Sequence, residues 1–181
     1  MGYFSEMGTT WAPMDDGTII LLNNITKFST YMKKFSEDPH NVLQYKVGNG
    51  ERPDQVSYRA YGSVNYWWTI LLLNNISNVR DQWALSQSQL EEHIAEKYPF
   101  SSFSDIHHYV TPEGHIADIE NLRYINNYKY TEKQVVKQYE LVPVTIYDFE
   151  YANNENKRDI LIIDPDQIFR VAAKYKELMN E

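Results

Sequence analysis

The apolar positions between Arg52 and Asn75 predict two short helices that meet at Tyr61-Gly62. Val56 and Ala60 lie four residues apart, which places them on one face of the first helix. Glycine adopts the left-handed conformation that ends many helices without steric cost, so Gly62 suits the junction. Beyond the junction the helical spacing continues through Trp67, Ile70, Leu71 and Asn74. A helical pair this short cannot bury its own apolar face, so we expect a strand from elsewhere in the chain to cover it.

Further helices are indicated by the residues at which they begin. Asn24 can cap a helix over residues 24–36, and Ser86 with Gln89 has the spacing of a capping box. The helix after Ser86 has an apolar stripe that includes Leu90, Ile94 and Tyr98. Asp164 caps a final helix, whose predicted buried stripe is Ile168, Val171, Ala172, Tyr175 and Met179.

Short apolar runs predict strands, and turn residues separate them. The strands are expected at residues 18–22, 42–47, 106–110, 115–119 and 142–149. Thr111-Pro112-Glu113-Gly114 is typical of a turn and would join two of them into a hairpin. Residues 131–141 fit a helix or a strand. The remaining segments are expected to lack regular structure: 1–17 as an extended arm, 77–82 as a loop, 124–130 as an irregular stretch and 150–158 as a polar connection.

Composition limits the classes of function. The 181 residues, 43% of them hydrophobic, suffice for one compact domain or for a small core that carries an insertion. The absence of cysteine excludes disulfides and thiolate metal sites. A net charge of −8 disfavours nucleic acid and anionic membranes as partners. Residues 1–18 lack the pattern of a secretory signal, so we expect no export. The 15 tyrosines and 4 tryptophans favour a chain with much contact surface.

Candidate catalytic and metal-binding residues are few. His107 and His108 are neighbours in a predicted strand, where successive side chains point to opposite faces, so they should not share a metal. A cross-strand pair with His115 stays open. Asp164 is explained by helix capping. No G-x-S-x-G pattern and no phosphate-binding glycine loop occurs in the sequence. The sequence therefore predicts no enzymatic activity, no metal site and no cofactor.

The order of the predicted elements resembles that of the LysM module. In that module a strand precedes an Asp-initiated helix, a YG turn and a second helix that ends in NN. Here Tyr45-Lys46-Val47 would be the strand, Asp54 would open the first helix, and Leu73-Asn74-Asn75 would close the second. No closing strand follows at the expected distance. The best candidate is Asp159–Ile163, far downstream.

A LysM core split by a long insertion resembles one family, the LysM-like baseplate wedge subunit of contractile-tailed bacteriophages. Further pieces of the chain that resemble this family are Ile25–Phe28, Trp83–Tyr98, Tyr109–Asp118 and Asn154–Met179. The resemblance implies an α+β fold, with a strand-helix-helix core, a distant closing strand, an inserted helix and hairpin, and a C-terminal helix. The implied parts are an N-terminal arm (1–17), an entry helix with the first part of the core (18–76), the insertion (77–157), and the closing strand with the terminal helix (158–181).

The resemblance also implies a structural function in the sixfold tail baseplate of a virion assembled in the host cytoplasm. The protein would clamp other wedge proteins and contact sheath-initiating and hub-proximal tail proteins, with no nucleic-acid or membrane partner. Aromatic side chains are the expected interface anchors, namely Trp11, Trp67, Trp68, Trp83 and Tyr109. Two other functions stay open. One is a module that binds N-acetylglucosamine polymers or peptidoglycan, as most LysM domains do, and the other is a soluble adaptor.

Overall fold

The computed structural model describes residues 9–23, 32–33 and 35–180, and these fall into two compact units. Unit 1 combines the chain up to Ala84 with the chain from Lys157 onward. Unit 2 is the continuous segment Leu85–Asn156. Each unit contains both helices and strands, so the expectation of an α+β fold is confirmed at this level.

Unit 1 begins, within the described residues, with an antiparallel hairpin of β1 (Thr9–Pro13) and β2 (Ile19–Asn23). The strand expected at 18–22 is confirmed. The lack of regular structure expected for residues 1–17 is wrong for Thr9–Pro13, and residues 1–8 lie outside the described part. The hairpin forms because Gly17, with φ 81°, closes a tight turn in which its N–H donates to the carbonyl of Met14 over 2.9 Å.

The centre of unit 1 is a second two-stranded sheet, packed against the helical pair. Strand β3 (Val42–Lys46) pairs antiparallel with β7 (Asp159–Ile163), in a register that sets Val42 opposite Ile163. Helices α1 (Pro53–Tyr61) and α2 (Trp67–Leu73) are joined by Gly62 and a 3₁₀ turn, and α2 packs on β7. The expected contact between the helical pair and the distant strand is therefore present.

Two clusters of buried side chains hold this sheet and its helices together. The alternation of β7 divides its side chains between them, because successive residues of a strand point to opposite faces. One cluster contains Val47, Val56, Ile70, Leu71, Trp83, Ala84, Ile160 and Ile162. The other contains Met32, Phe35, Trp68, Ile163, Ile168, Val171 and Tyr175. Apolar positions that precede and follow unit 2 in the sequence thus pack into the same two clusters.

The last helix of unit 1 agrees closely with its sequence pattern. Asp164 accepts a hydrogen bond from the N–H of Asp166 at the 3₁₀ turn Pro165–Gln167, which leads into the helix Ile168–Asn180. The stripe Ile168, Val171 and Tyr175 is buried as predicted, whereas the side chain of Met179 lies outside the described part. Of the helix expected over 24–36, residues 32–33 and 35–36 are helical and the others lie outside the description.

One segment between these elements differs from expectation. Residues 77–82 were expected to be a loop, but Val79–Gln82 forms a single helical turn, α3. Asn78 caps this turn by accepting a hydrogen bond from the N–H of Arg80, which explains why so short a polar helix forms.

Unit 2 is built from a three-stranded sheet and four helices. Its strands, in the order β5-β4-β6, are β4 (Ile106–Val110), β5 (Ile116–Ala117) and β6 (Val142–Thr145). The helices are α4 (Gln87–Lys97), α5 (Ile119–Ile125), α6 (Glu132–Gln138) and α7 (Ile146–Asn156). We label the terminal helix Ile168–Asn180 of unit 1 α8. The capping box of Ser86 and Gln89 is present, and Leu90 and Ile94 are buried with Ile146.

The sequence pattern misplaced several boundaries in unit 2. The strand expected over 142–149 stops at Thr145, and residues 150–158 are largely the helix α7 instead of a polar connection. Thr145 accepts from the N–H of Asp148 over 3.0 Å and donates to its carboxylate over 2.7 Å, a cap that starts α7. Asp118 caps α5 by accepting a hydrogen bond from the N–H of Asn121. Residue 119, expected in a strand, and residues 124–125, expected to be irregular, belong to this helix. The segment 131–141, which fitted a helix or a strand, contains the helix α6.

Candidate protein-binding surfaces

The five aromatic residues predicted as interface anchors lie in different surroundings. Trp68 and Trp83 are in the core of unit 1, with only 6% and 5% of their surface exposed. Trp67 is half-buried between the two core clusters, and Tyr109 is half-buried on β4. Trp11 is 70% exposed on β1. Of the five, Trp11 offers a partner the largest contact area. The interface role of each stays a prediction that no complex tests.

Trp83 has a clear structural role. Its indole Nε1 donates a 2.7 Å hydrogen bond to the carbonyl of Glu51. The carboxylate of Glu51 in turn accepts from the N–H of Gly48 over 2.8 Å and from the Tyr45 hydroxyl over 2.9 Å. Arg158 donates to the carbonyls of Val47 and Gly48 from the other end of the chain. These bonds fix the loop that joins β3 to α1.

The fixed loop forms one wall of an open groove of about 640 Å³. The other wall is α1, and most of the residues that line the groove have polar side chains. Its residues are Gly48, Asn49, Gly50, Glu51, Asp54, Gln55, Tyr58, Arg59 and Val64. Tyr58 is exposed there, and Arg59 lies 3.2 Å from the Glu51 carboxylate. The groove therefore presents an aromatic ring beside amide, carboxylate and guanidinium groups.

The hairpin carries an exposed apolar face. Residues directly opposite each other on antiparallel strands share a face, which places Trp11, Pro13 and Ile19 together. All three are exposed, Ile19 by 65%, whereas Ala12 and Ile20 on the other face are half-buried. Large apolar side chains that remain exposed together are typical of a surface that a partner covers.

Unit 2 has an exposed apolar row of its own. The register sets Val110 of β4 opposite both Ile116 of β5 and Val142 of β6, so the three lie side by side across the sheet. Ile116 and Val142 are exposed, and Val110 is half-buried. This row is a second candidate surface, in addition to the hairpin face.

The two adjacent histidines of β4 do not point to opposite faces. Their Nδ1 atoms are 2.9 Å apart, so the expectation from strand alternation is wrong here. The physical reason is a break in the pairing of β4 with β6 between Ile106 and His108, which turns His107 out of register. The ring of His107 then stacks on Phe149 at a centroid distance of 4.1 Å.

This histidine pair has the geometry of a hydrogen bond. The ring centroids are 5.1 Å apart while the Nδ1 atoms are 2.9 Å apart, so the nitrogens point at each other and not towards a common third atom. One imidazole must donate and the other accept. Within the described residues, no group of three or more His, Asp or Glu side chains is arranged to hold a metal ion.

A buried carboxylate joins α4 to α7 in unit 2. Glu150 accepts hydrogen bonds from the Lys97 ammonium and the Tyr98 hydroxyl, each over 2.8 Å. Burial acts to raise the pKa of Glu150, but these bonds outweigh it and hold the pKa below its ordinary value. The same bond raises the pKa of Lys97. The Glu150 carboxylate is hydrogen-bonded by side chains at the end of α4, and this is typical of a structural ion pair and does not indicate a catalytic acid.

Side chains cover the outer edge of β7, a feature that sequence reasoning missed. The N–H of Leu161 donates to Asn74 Oδ1 over 2.8 Å, and Asn74 Nδ2 donates to the Leu161 carbonyl over 2.7 Å. The N–H of Ile163 donates to the Tyr61 hydroxyl over 3.0 Å. Burial raises the pKa of Tyr61 to about 12, so this hydroxyl stays protonated. Tyr61 of the YG pair and Asn74 of the NN pair therefore protect a strand edge.

Comparison with models of protein families gives a match over most of the chain. A family model described as "Base plate wedge protein 53" matches residues 7–178, which is nearly the whole chain. No curated protein matches the chain. In the part of the chain that the structure describes, no helix has both the length and the apolar character that crossing a membrane requires.

Proposed function

The chain belongs to the base plate wedge protein 53 family of phages, and from this we propose that it is a structural component of the tail base plate. The single observation that carries the proposal is the match over residues 7–178, because it includes both units. A structural role agrees with the large apolar side chains that are exposed on the described surface.

We infer that the protein acts by burying surface against other wedge proteins and so clamps them together. A stable interface requires on the order of 1,200 Å² of buried surface. The hairpin face with Trp11 and Ile19 and the row Val110, Ile116 and Val142 are two of the apolar surfaces available for such interfaces. Aromatic anchors provide most of the affinity in such interfaces. Trp11 is accordingly our first candidate, ahead of the half-buried Trp67 and Tyr109.

We further propose that unit 1 is a LysM-like core and that unit 2 is inserted into it. The pairing of β3 with β7 around α1 and α2 supports this, because the module needs its closing strand beside the helical pair. The division of the chain near Ala84 and Lys157 also supports an insertion, since unit 2 leaves and returns to the same unit.

The remaining expectations for the assembly are proposals of the same kind. We propose a location in the virion tail, assembly in the host cytoplasm, and copies arranged with the sixfold symmetry of the base plate. The partners would be other wedge proteins together with sheath-initiating and hub-proximal tail proteins. The net charge of −8 supports protein partners over nucleic acid.

The test is genetic and structural. We expect a phage that lacks this chain to accumulate incomplete base plates, and expression of the full chain in the host to restore complete tails. Mass spectrometry of purified tails should detect the chain in a fixed ratio to other wedge proteins. Complete, contractile tails formed without the chain would reject the proposal.

The groove beside α1 supports one alternative, the binding of an N-acetylglucosamine polymer. An exposed tyrosine next to Asn49 and Gln55 could stack on a sugar ring and hydrogen-bond its amide. This function predicts that purified peptidoglycan retains the full chain and that Tyr58→Ala abolishes retention. Tyr151→Ala, which also removes an exposed tyrosine but lies outside the groove, is the matched control. Failure of the wild-type chain to bind peptidoglycan would remove this alternative.

A further inference from the structure

The turn of the hairpin fixes which backbone groups of β1 and β2 point outward. The N–H of Met14 donates to the Thr18 carbonyl over 2.8 Å, which makes these two a hydrogen-bonded pair. Hydrogen-bonded and non-bonded pairs alternate along an antiparallel ladder. The pairs Pro13–Ile19 and Trp11–Leu21 are therefore non-bonded, and their N–H and C=O groups face away from the partner strand.

The same alternation explains the position of Pro13. Proline has no N–H, so a strand tolerates it only where no ladder bond is needed. Position 13 is such a place, because its backbone faces the outer edge of β1. The consequence is that the β1 edge cannot donate a hydrogen bond at Pro13. The edge of β2, by contrast, presents complete N–H and C=O pairs at Ile19, Leu21 and Asn23.

The other sheets have devices that close their edges. The edge of β7 is covered by Asn74 and Tyr61, as described above. The backbone of β3 faces away from β7 at Gln44 and at the exposed, charged Lys46. Polar and charged side chains at such an edge discourage pairing with another strand. In unit 2, β5 is two residues long and β6 contains Pro143. Each of these edges is short, polar, interrupted or covered.

Within the described residues, the edge of β2 contains no proline and no charged side chain, and Asn23 at its end is its one polar residue. Its sequence, Ile19-Ile20-Leu21-Leu22-Asn23, is apolar except for Asn23, and the two isoleucines favour a strand. In the part of the chain that the structure describes, no third strand pairs with it. A two-stranded hairpin is at best marginally stable by itself. An open apolar edge of this kind is either a site of aggregation or a template for a strand from another chain.

We propose that β2 pairs with an extended strand contributed by another base plate protein. The inference rests on the proposed function for the identity of this partner as a base plate component. The strand would form backbone hydrogen bonds with Ile19, Leu21 and Asn23 and place apolar side chains on the face that carries Trp11. Asp15 and Asp16 are exposed in the adjacent turn, so a basic residue is expected where the strand passes it.

Charge favours a different protein over a second copy of this chain. Each copy carries a net charge of −8, and two like-charged copies repel each other as they approach. A partner strand with Lys or Arg near the Asp15-Asp16 turn gains attraction instead. Pairing through the backbone would also explain why the edge of β2 lacks a charged residue such as the Lys46 of β3.

The test compares three full-length variants in assembled tails. Leu21→Pro removes an outward N–H of β2 but leaves the ladder positions Ile20 and Leu22 unchanged. Leu21→Ala changes the same side chain and keeps the N–H. Thr9→Pro places a proline at the equivalent outward position of β1, whose edge is already interrupted. We expect the amount of Leu21→Pro in purified base plates, by quantitative immunoblot, to fall about tenfold, a loss near 1.4 kcal/mol. The other two variants should stay close to wild type.

Each other outcome overturns the proposal in a distinguishable way. Normal incorporation of Leu21→Pro rejects strand pairing and leaves the proposed function intact. An equal loss with Leu21→Ala means that the side chain of Leu21 matters, and an equal loss with Thr9→Pro means that the fold of the hairpin matters. In either case the loss is not due to the backbone edge of β2. A purified chain that dimerises in sedimentation experiments, and does so less with Leu21→Pro, identifies a second copy as the occupant. Absence of the wild-type chain from base plates rejects both proposals.

A direct observation gives a second criterion that does not depend on folding of a variant. A cryo-electron microscopy map of the base plate with the wild-type chain should show a strand about 4.8 Å from β2, on the side away from β1. A β2 edge that faces solvent in that map overturns the inference.

Discussion

The side-chain amide of Asn74 and the backbone of Leu161 exchange two hydrogen bonds, of 2.7 and 2.8 Å, across a long separation in sequence. Asn74 Nδ2 also donates to the carbonyl of Ile70, one turn earlier in α2. The end of α2 is therefore tied to the edge of β7 by one residue. This contact joins the two parts of unit 1 that are separated by unit 2 in the sequence.

Replacing Asn74 by alanine should destabilise unit 1 by about 2–4 kcal/mol, because it leaves the partly buried N–H and C=O of Leu161 without partners. Urea unfolding monitored by tryptophan fluorescence measures this, since all four tryptophans lie in unit 1. The neighbour Asn75, with φ 54°, provides the control. Asn75→Gly relieves a left-handed backbone and should not lower stability. Equal stability of Asn74→Ala and wild type would contradict the assigned role.

Gly62 joins the two helices through its backbone conformation alone. Its φ is 69°, and a Cβ built at this position would meet no atom within 4 Å. Any cost of substitution is therefore conformational and not steric crowding. We expect Gly62→Val to lower the unfolding free energy of unit 1 by about 1–2 kcal/mol or more. Asparagine tolerates the left-handed region better, so Gly62→Asn should cost clearly less in the same assay. A larger effect of asparagine than of valine would show that the backbone argument is wrong.

The Glu150 carboxylate should make unit 2 sensitive to acid. Its pKa in the folded protein lies below the ordinary value of 4.5, so its contribution is fully present above that value. The contribution is lost as the pH falls through the lowered pKa of the folded state. Glu150→Gln should destabilise unit 2 at neutral pH by about 1–3 kcal/mol and weaken the decline below pH ~4.5. Urea unfolding followed by circular dichroism at several pH values measures both effects.

The matched control for Glu150 is an exposed carboxylate on the helix that Glu150 contacts. Glu92 lies on α4 and is exposed. Glu92→Gln should leave stability at neutral pH within about 0.5 kcal/mol of wild type, as is usual for surface positions. If both variants behave alike, the bonds from Lys97 and Tyr98 do not provide the stabilisation that we assign to them.

Local signals in the sequence predicted most elements of unit 1 and fewer of unit 2. Capping at Asp164 and the box at Ser86 are short-range patterns, and both helices form where these patterns place them. The start of α7 was missed because the alternation before Thr145 continues as a strand pattern into Ile146. The cap formed by Thr145 and Asp148 decides the boundary, and its T-x-x-D spacing was present in the sequence.

Burial was harder to predict than secondary structure for the aromatic residues. Trp67 and Trp68 are adjacent, yet Trp68 is buried and Trp67 is half-buried, because the direction of α2 against β7 decides which ring faces inward. The burial of Trp83 depends on the carbonyl of Glu51, a contact that no local pattern indicates. The facing histidines follow from a local break in the pairing of β4, which residue types alone do not specify.

Variants of Trp11 and Trp83 distinguish most clearly an effect on binding from an effect on folding. Trp83 is buried and hydrogen-bonded, so Trp83→Ala should lower the stability of unit 1 by about 3–5 kcal/mol. Trp11 is largely exposed, so Trp11→Ala should leave the melting temperature nearly unchanged and reduce incorporation into base plates. Thermal melting of the purified variants and immunoblots of purified tails test the two halves of this prediction. Phe100→Ala, at a fully exposed aromatic residue of unit 2, serves as the surface control. Normal incorporation of Trp11→Ala would remove this residue from the interface, whereas a large drop in its melting temperature would assign it to the fold.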